Sequence, residues 1–260
     1  MMRKIAFFSI LLSCACGEGK ENNTEKSETI LSSKVIKSEI ILLSEAIQKD
    51  PANTILLLDR ANYNKDLGNL KSVLFDLNQC VQLDSLNPNF HYSVAEIYFE
   101  LLKKKSVNGA NKQKYPSLVK NHLTKAIELN DRDHRFQALL GELMLMLAEY
   151  KKAINYFNAS LKIEYNQAKT HMLMGYAFKD LGQDDNAINC YRNAVNVNPE
   201  FKQGFVQLGD IFGLKEDAIA VVYYDNALQL DPTDELILYS KAMFFQSIME
   251  WNAALEAYAD

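Results

Sequence analysis

An all-α fold built as a stack of antiparallel helix pairs is what this sequence predicts, on three observations. Small residues inside apolar stretches return at a near-constant interval, and other residue types keep step with them. The chain also carries only ten Gly and five Pro among its 260 residues, too few for the turns of a sandwich or barrel. The small residues are Ala61, Ala95, Gly141, Gly175, Gly209 and Ala242, spaced by 34, 46, 34, 34 and 33 residues, the 46 being one period plus a 12-residue insertion. An array of this kind lacks the usual size limit, so its length need not divide into ordinary domains.

The first element reads as an address. Met1-Met2-Arg3-Lys4 is basic, and Ile5 to Leu12 is apolar except for Ser9. That run is too short for a bilayer, which takes about 20 residues, and has the form of a secretory signal over residues 1–13. A buried helix is the other reading, but the polar stretch from Gly17 to Thr29 offers it no core. Leu11-Leu12-Ser13-Cys14 resembles the lipobox of bacterial lipoproteins. The resemblance implies lipid attachment at Cys14, with Cys16 as the alternative, followed by a polar flexible linker over 14–27. Several acyl chains on one Cys make such attachment lasting. Ala15 stands where Asp commonly retains lipoproteins in the inner membrane, so the resemblance implies the outer membrane, facing the periplasm or the cell surface.

A helix over 28–50, ended by Asp50-Pro51, is expected to cap the array. The array itself occupies 51–260, in units of about 54–87, 88–133, 134–167, 168–201, 202–234 and 235–260. From Gly175, a small residue follows at +12 (Ala187), an aromatic at +16 (Tyr191), a small residue at +19 (Ala194) and Pro at +24 (Pro199). Gly141 gives Ala153, Phe157, Ser160 and Tyr165; Gly209 gives Ala220, Tyr224, Ala227 and Pro232, each one residue early. Ala61 is followed less typically by Val73, Leu77, Cys80 and Ser85, and Ala242 by Ala254 and Tyr258. Helix axes approach closely only where Gly or Ala replaces a bulky side chain, and the +16 residue fills the space beside that crossing. Leu67-Gly68 and Leu181-Gly182 suit left-handed helix ends, and Asn198-Pro199 and Asp231-Pro232 close second helices. These residues resemble the tetratricopeptide repeat, and the resemblance implies a right-handed superhelical solenoid of helix pairs.

Two segments depart from the pattern. Lys103 to Ser117, with five Lys, Asn108-Gly109 and Pro116, intrudes into the second unit as a loop or an extended helix hairpin. It is either a solvated projection or part of a binding face. Trp251, Leu255 and Tyr258 open a helix that reaches Asp260 before its second small residue and closing Pro. The natural protein is therefore expected to continue, or a partner or second copy to cover this end.

Chemistry-bearing patterns are absent from the sequence. The net charge of −5 argues against nucleic acid, whose phosphates need clustered cations. No phosphate loop, nucleophile elbow or metal motif occurs, so no catalytic residue, cofactor or metal is expected. His91, His122, His134 and His171 fall in different units or registers without ligand spacing, His171 reading as a structural histidine. Cys80 and Cys190 read as small buried hydrophobes. What remains is the groove that the resemblance implies along the first helices. Carrying that register across, the residue after each small one gives Asn62, Glu96, Glu142, Tyr176, Asp210 and Met243. Three before lie Leu58, Tyr92, Met172 and Tyr239, with Ala138 and Val206 between. Only Asn62 fits the carboxylate grip known in the family. Acidic residues mixed with Tyr and Met suit a protein segment bearing Lys or Arg and apolar anchors, unless those acids are ordinary solvated charges. The expected function is a membrane-anchored, non-catalytic scaffold that binds a partner peptide or helix. The alternatives are the repeat portion of a longer envelope enzyme, and a protein that self-associates through its last repeat.

Overall fold

The computed structural model describes the backbone of residues 21–104 and 109–259, with side chains from residue 35 onward except 105–112. Cys14, Cys16, the 1–13 signal and the start of the linker lie outside the described residues. Among the described residues there are thirteen helices and no strand. They are α1 (Glu21–Lys49), α2 (Thr54–Asp66), α3 (Leu70–Leu83), α4 (Pro88–Lys103), α5 (Gly109–Leu129), α6 (His134–Met146) and α7 (Tyr150–Ile163). There follow α8 (Ala168–Asp180), α9 (Asp184–Val197), α10 (Lys202–Gly213), α11 (Ile219–Leu230), α12 (Glu235–Ser247) and α13 (Trp251–Ala259). The helix expected from Glu28 begins at Glu21, inside the expected linker. Residues 21–27 contain no Gly or Pro, and lengthening a nucleated helix costs little.

The chain divides into two compact bodies, the boundary falling after Asp76 inside α3. In the first, α1 packs on α2, and Ile47, Leu57, Ala61, Leu70 and Val73 are buried. Asn53 caps α2, its Oδ1 accepting from the Ile55 and Leu56 amides at 3.2 and 3.3 Å. Arg60 donates to Asp76 through Nε (3.0 Å) and Nη2 (2.6 Å) and to Ser44 Oγ through Nη1 (3.0 Å). One guanidinium thus ties α1, α2 and α3 together. The Asp76 side chain is 2% exposed, so removing Arg60 would strand a buried charge at a cost of about 3–5 kcal/mol.

The second body is a run of helix pairs, α4 with α5, α6 with α7, α8 with α9, α10 with α11 and α12 with α13. Each second helix also packs on the next first helix. Successive first helices touch (α4 with α6, α6 with α8, α10 with α12). No comparable contact joins successive second helices among the described residues. Side-by-side contact on one layer alone curves the body, with the first helices inside. Within the pairs, Gly141 lies under the Phe157 ring, Gly175 under Tyr191 and Gly209 under Tyr224, so close that a Cβ on any of the three would overlap the ring. Phe157 and Tyr191 are fully buried there. Ala95, which keeps its Cβ, shares its core with the smaller Leu123 at the equivalent position.

Gly68 and Gly182 adopt left-handed backbone (φ +72° and +69°) and close the first helices, the Gly182 amide donating to Lys179 O and the Gln183 amide to Phe178 O. Ala148, Glu216 and Met249, at the same place in their own repeats, share that conformation at φ 56°, 55° and 63°. Among the described residues the inserted segment lengthens both helices of its pair. α4 has 16 residues where α6 and α8 have 13, and α5 has 21, Pro116 included, where α7 and α9 have 14.

Candidate binding groove

Because the first helices line the inner side of the second body, side chains three before and one after each small residue share that face. The row three before consists of Tyr92, Ala138, Met172, Val206 and Tyr239, all apolar or aromatic and none of them buried. Tyr92 packs on Phe136 with ring centres 5.4 Å apart, and the Arg135 guanidinium lies over the Tyr92 ring at 5.0 Å. Burial, with Glu96 as the next cause, pushes the Tyr92 hydroxyl up to about 12, so it stays protonated. Tyr176 meets Tyr191 edge-on at 5.9 Å. Tyr239 and Met243 are half exposed at 55% and 42%, the Met243 sulfur accepting from the Tyr258 hydroxyl at 3.3 Å.

The row one after each small residue carries the acids, and the structure supplies them with partners that the sequence reading missed. Those partners stand six before the small residue of the next repeat. Glu96 stabilises the Arg135 cation through space. Glu142 accepts from Lys169 at 2.6 Å. Tyr176 is hydrogen-bonded by the Gln203 side chain. Asp210 lacks a cation in the corresponding place, where Leu236 stands. It accepts instead from the Tyr224 hydroxyl at 3.1 Å and from Gln207 at 3.5 Å. Burial raises the Asp210 carboxyl above its ordinary range, the Tyr224 bond partly opposing this. The expected open acidic row is therefore a ladder of polar pairs, the rungs at Glu96, Glu142 and Tyr176 each joining two repeats and that at Asp210 staying within its own.

Leu58 and Asn62 belong to the first body. Leu58 is half-buried and Asn62 exposed. Asn62 lines an open cleft of about 400 Å³ with Glu39, Leu43, Asp59, Tyr63 and Asp66.

The histidines depart from the expectation that they stand apart. His91 and His122 meet, Nδ1 to Nδ1, at 3.2 Å. The insertion hid this pairing by shifting His122 out of numerical register. His171 is buried at 1% exposure and donates from Nε2 to Tyr165 O at 3.1 Å. Cys80 and Cys190 are buried thiols, and burial pushes the Cys190 thiol up to about 12. No cluster of three or more metal-ligating side chains occurs among the described residues.

Residues 168–201 match the family model described as tetratricopeptide repeat. Those residues are a tetratricopeptide repeat, and the chain has the solenoid fold of tetratricopeptide-repeat proteins. It is 26% identical over 124 residues to human tetratricopeptide repeat protein 6, a match covering 47% of this chain and 24% of that relative. The chain thus spans about a quarter of that relative's length. A tetratricopeptide repeat protein from Parabacteroides merdae has the same fold at TM-score 0.64 and 16% identity, covering 93% of this chain and 91% of that one. So does YrrB, described as a tetratricopeptide protein with an unusual peptide-binding site, at TM-score 0.55 and 19% identity, covering 76% and 97% of the two chains.

Proposed function

We propose that this protein is a tethered interaction scaffold whose inner face binds a segment of another protein through apolar and aromatic anchors. One observation carries the reading. A stripe of Tyr92, Ala138, Met172, Val206 and Tyr239 runs beside a polar ladder that is already paired within the protein. Such a ladder selects little for partner charge, because breaking Glu142 from Lys169 to meet an outside cation exchanges one ion pair for another. The stripe offers aromatic area held by neighbouring rings, the kind of surface that carries most binding energy. The partner is accordingly read by its apolar anchors rather than by Lys or Arg, which revises the charge preference expected from the acidic residues alone. Likeness to a fold that carries a peptide-binding site in YrrB fits this reading.

The test is a random peptide library displayed against the full chain. Peptides enriched on the wild type should lose at least about tenfold in affinity to Tyr92→Ala/Met172→Ala. They should bind a charge-swapped Glu142→Lys/Lys169→Glu variant within about threefold. Peptides indifferent to the first variant and lost on the second would overturn the proposal.

Tethering rests on the lipobox-like Leu11-Leu12-Ser13-Cys14, with Cys14 as the acylated residue. Among the described residues no helix is long and apolar enough to cross a membrane.

A further inference from the structure

His91 and His122 face each other across the α4–α5 hairpin, the pair that bears the insertion. His91 Nε2 stands 3.1 Å from the Ser85 carbonyl oxygen, in the turn that leads into α4. A carbonyl only accepts, so Nε2 carries the proton and neutral His91 presents a bare Nδ1. That lone pair meets His122 Nδ1 at 3.2 Å, which must then hold the one proton between the rings. The ring centres are 5.4 Å apart, close to the widest separation that such a nitrogen–nitrogen contact permits, so the rings meet nearly end to end. A metal ion bound by both would need lone pairs converging on a point to one side. The end-to-end arrangement suits a shared proton.

We infer that the His91–His122 pair is a proton-sensitive latch on the α4–α5 hairpin, closed by one shared proton and opened by a second. A proton added at His122 Nε2 leaves its Nδ1–H donating, whereas one added at His91 Nδ1 sets two N–H groups against each other. The rings must then part, and the Ser85 bond strains with them. Burial lowers the proton affinity of His122, and His91 lowers it further. A base whose folded-state affinity is depressed contributes stability above its ordinary range, near pH 6.5, and loses it as pH falls through that range. Parted rings can each take a further proton and the closed pair only one between them, so the latch is closed at neutral pH and opens in acid.

Other charged groups are occupied elsewhere. The Tyr98 ring of α4 lies 6.3 Å from that of His122, and Tyr115 of α5 lies against Tyr98 at 5.5 Å. Lys125, one turn beyond His122, is bonded to Glu128. On the neighbouring α6, Arg135 is held by Asp133 and Asn89, His134 by Gln167, and Glu142 by Lys169. Neither Glu96, Glu100 nor Lys103 on α4, nor Lys114 or Lys120 on α5, is among the groups that shift His122. The part of α3 in this body, 77–83, is uncharged. The α8–α9 pair provides a contrast. His171 makes the same bond to Tyr165 O that His91 makes to Ser85 O, but the residue in the register of His122 is Cys190, whose thiol supplies no second base. The latch belongs to the insertion-bearing pair alone.

The experiment follows the imidazole nitrogens of the full chain by NMR between about pH 8 and 5, with amide exchange measured alongside. At the alkaline end His91 should carry its proton on Nε2, and His122 should titrate below the ordinary histidine range with the His91 ring sensing the same step. After correction for intrinsic exchange, α4–α5 amides should open several-fold more on acidification than those of α10–α11, which contain no histidine. His91→Leu/His122→Leu should abolish that excess, and the wild-type titration decides the matter should this variant misfold. Independent titration of the two rings, or a proton on His91 Nδ1, would overturn the latch. So would stoichiometric zinc that shifts both rings and is removed by chelator, since the pair would then be a metal clamp.

Discussion

At the residue scale, the repeats are held by a size rule between two positions. Gly pairs with an aromatic residue in the three units of Gly141, Gly175 and Gly209, and Ala pairs with Leu123 in the unit of Ala95. The sum of the two volumes is what the crossing accepts. Gly175→Ala should therefore destabilise the protein by about 1–3 kcal/mol, because its Cβ overlaps the Tyr191 ring. Adding Tyr191→Leu to it should recover part of that loss and reproduce the Ala–Leu pair. Denaturant unfolding of the two single variants and the double decides it: a coupling near zero between the sites removes the rule. Ala242 with Tyr258 already breaks it, and Tyr258 is 48% exposed where Tyr191 is fully buried. A second residue-level regularity concerns unit ends. His91 and His171 donate to the carbonyls of Ser85 and Tyr165, the residues that stand where Pro closes other units. In those two joints an imidazole bond holds the turn in place of a fixed proline ring.

At the element scale, helix ends carry unspent stability. Five first helices end in a left-handed residue, yet only Gly68 and Gly182 adopt it without a Cβ penalty. Ala148, Glu216 and Met249 hold the same conformation at a cost of about 1 kcal/mol each. Met249 is 74% exposed, so little packing is lost by its removal. Met249→Gly should raise the melting temperature by a few degrees, and calorimetry at neutral pH is the check. A lower melting temperature would mean that Met249 contributes packing beyond its turn. The insertion works at the same scale. Its described residues add turns to α4 and α5, and in the lengthened pair His122 stands opposite His91.

At the scale of the whole molecule, two compact bodies differ in how they close. The first is locked by the buried Arg60–Asp76 pair and Ser44, whereas the second is closed repeat by repeat through apolar cores and the polar ladder. We expect the whole chain to be membrane-bound by its lipid anchor. In cells, Cys14→Ser should move the protein from the membrane to the soluble fraction and remove the mass of the acyl groups, while Cys16→Ser should leave both unchanged. The reverse result would assign the anchor to Cys16, and no change in either would remove it.

The sequence by itself determined the helix pairs, their period and the small residues at their crossings, because each is a local pattern of volume and polarity repeated at fixed spacing. Helix ends at Gly68, Gly182, Asn198-Pro199 and Asp231-Pro232 were legible for the same reason. The apolar half of the groove, Tyr92, Met172 and Tyr176, was legible once the register was known. Only the tertiary structure decided what the acids do. Lys169 stands 27 residues from Glu142, on the next repeat, and charge pairing at that range depends on how repeats stack rather than on what adjoins in the chain. The same holds for Arg60 with Asp76, 16 residues away, and for His91 with His122, 31 residues away. Periodicity places a residue on a face; stacking geometry chooses the residue it meets there.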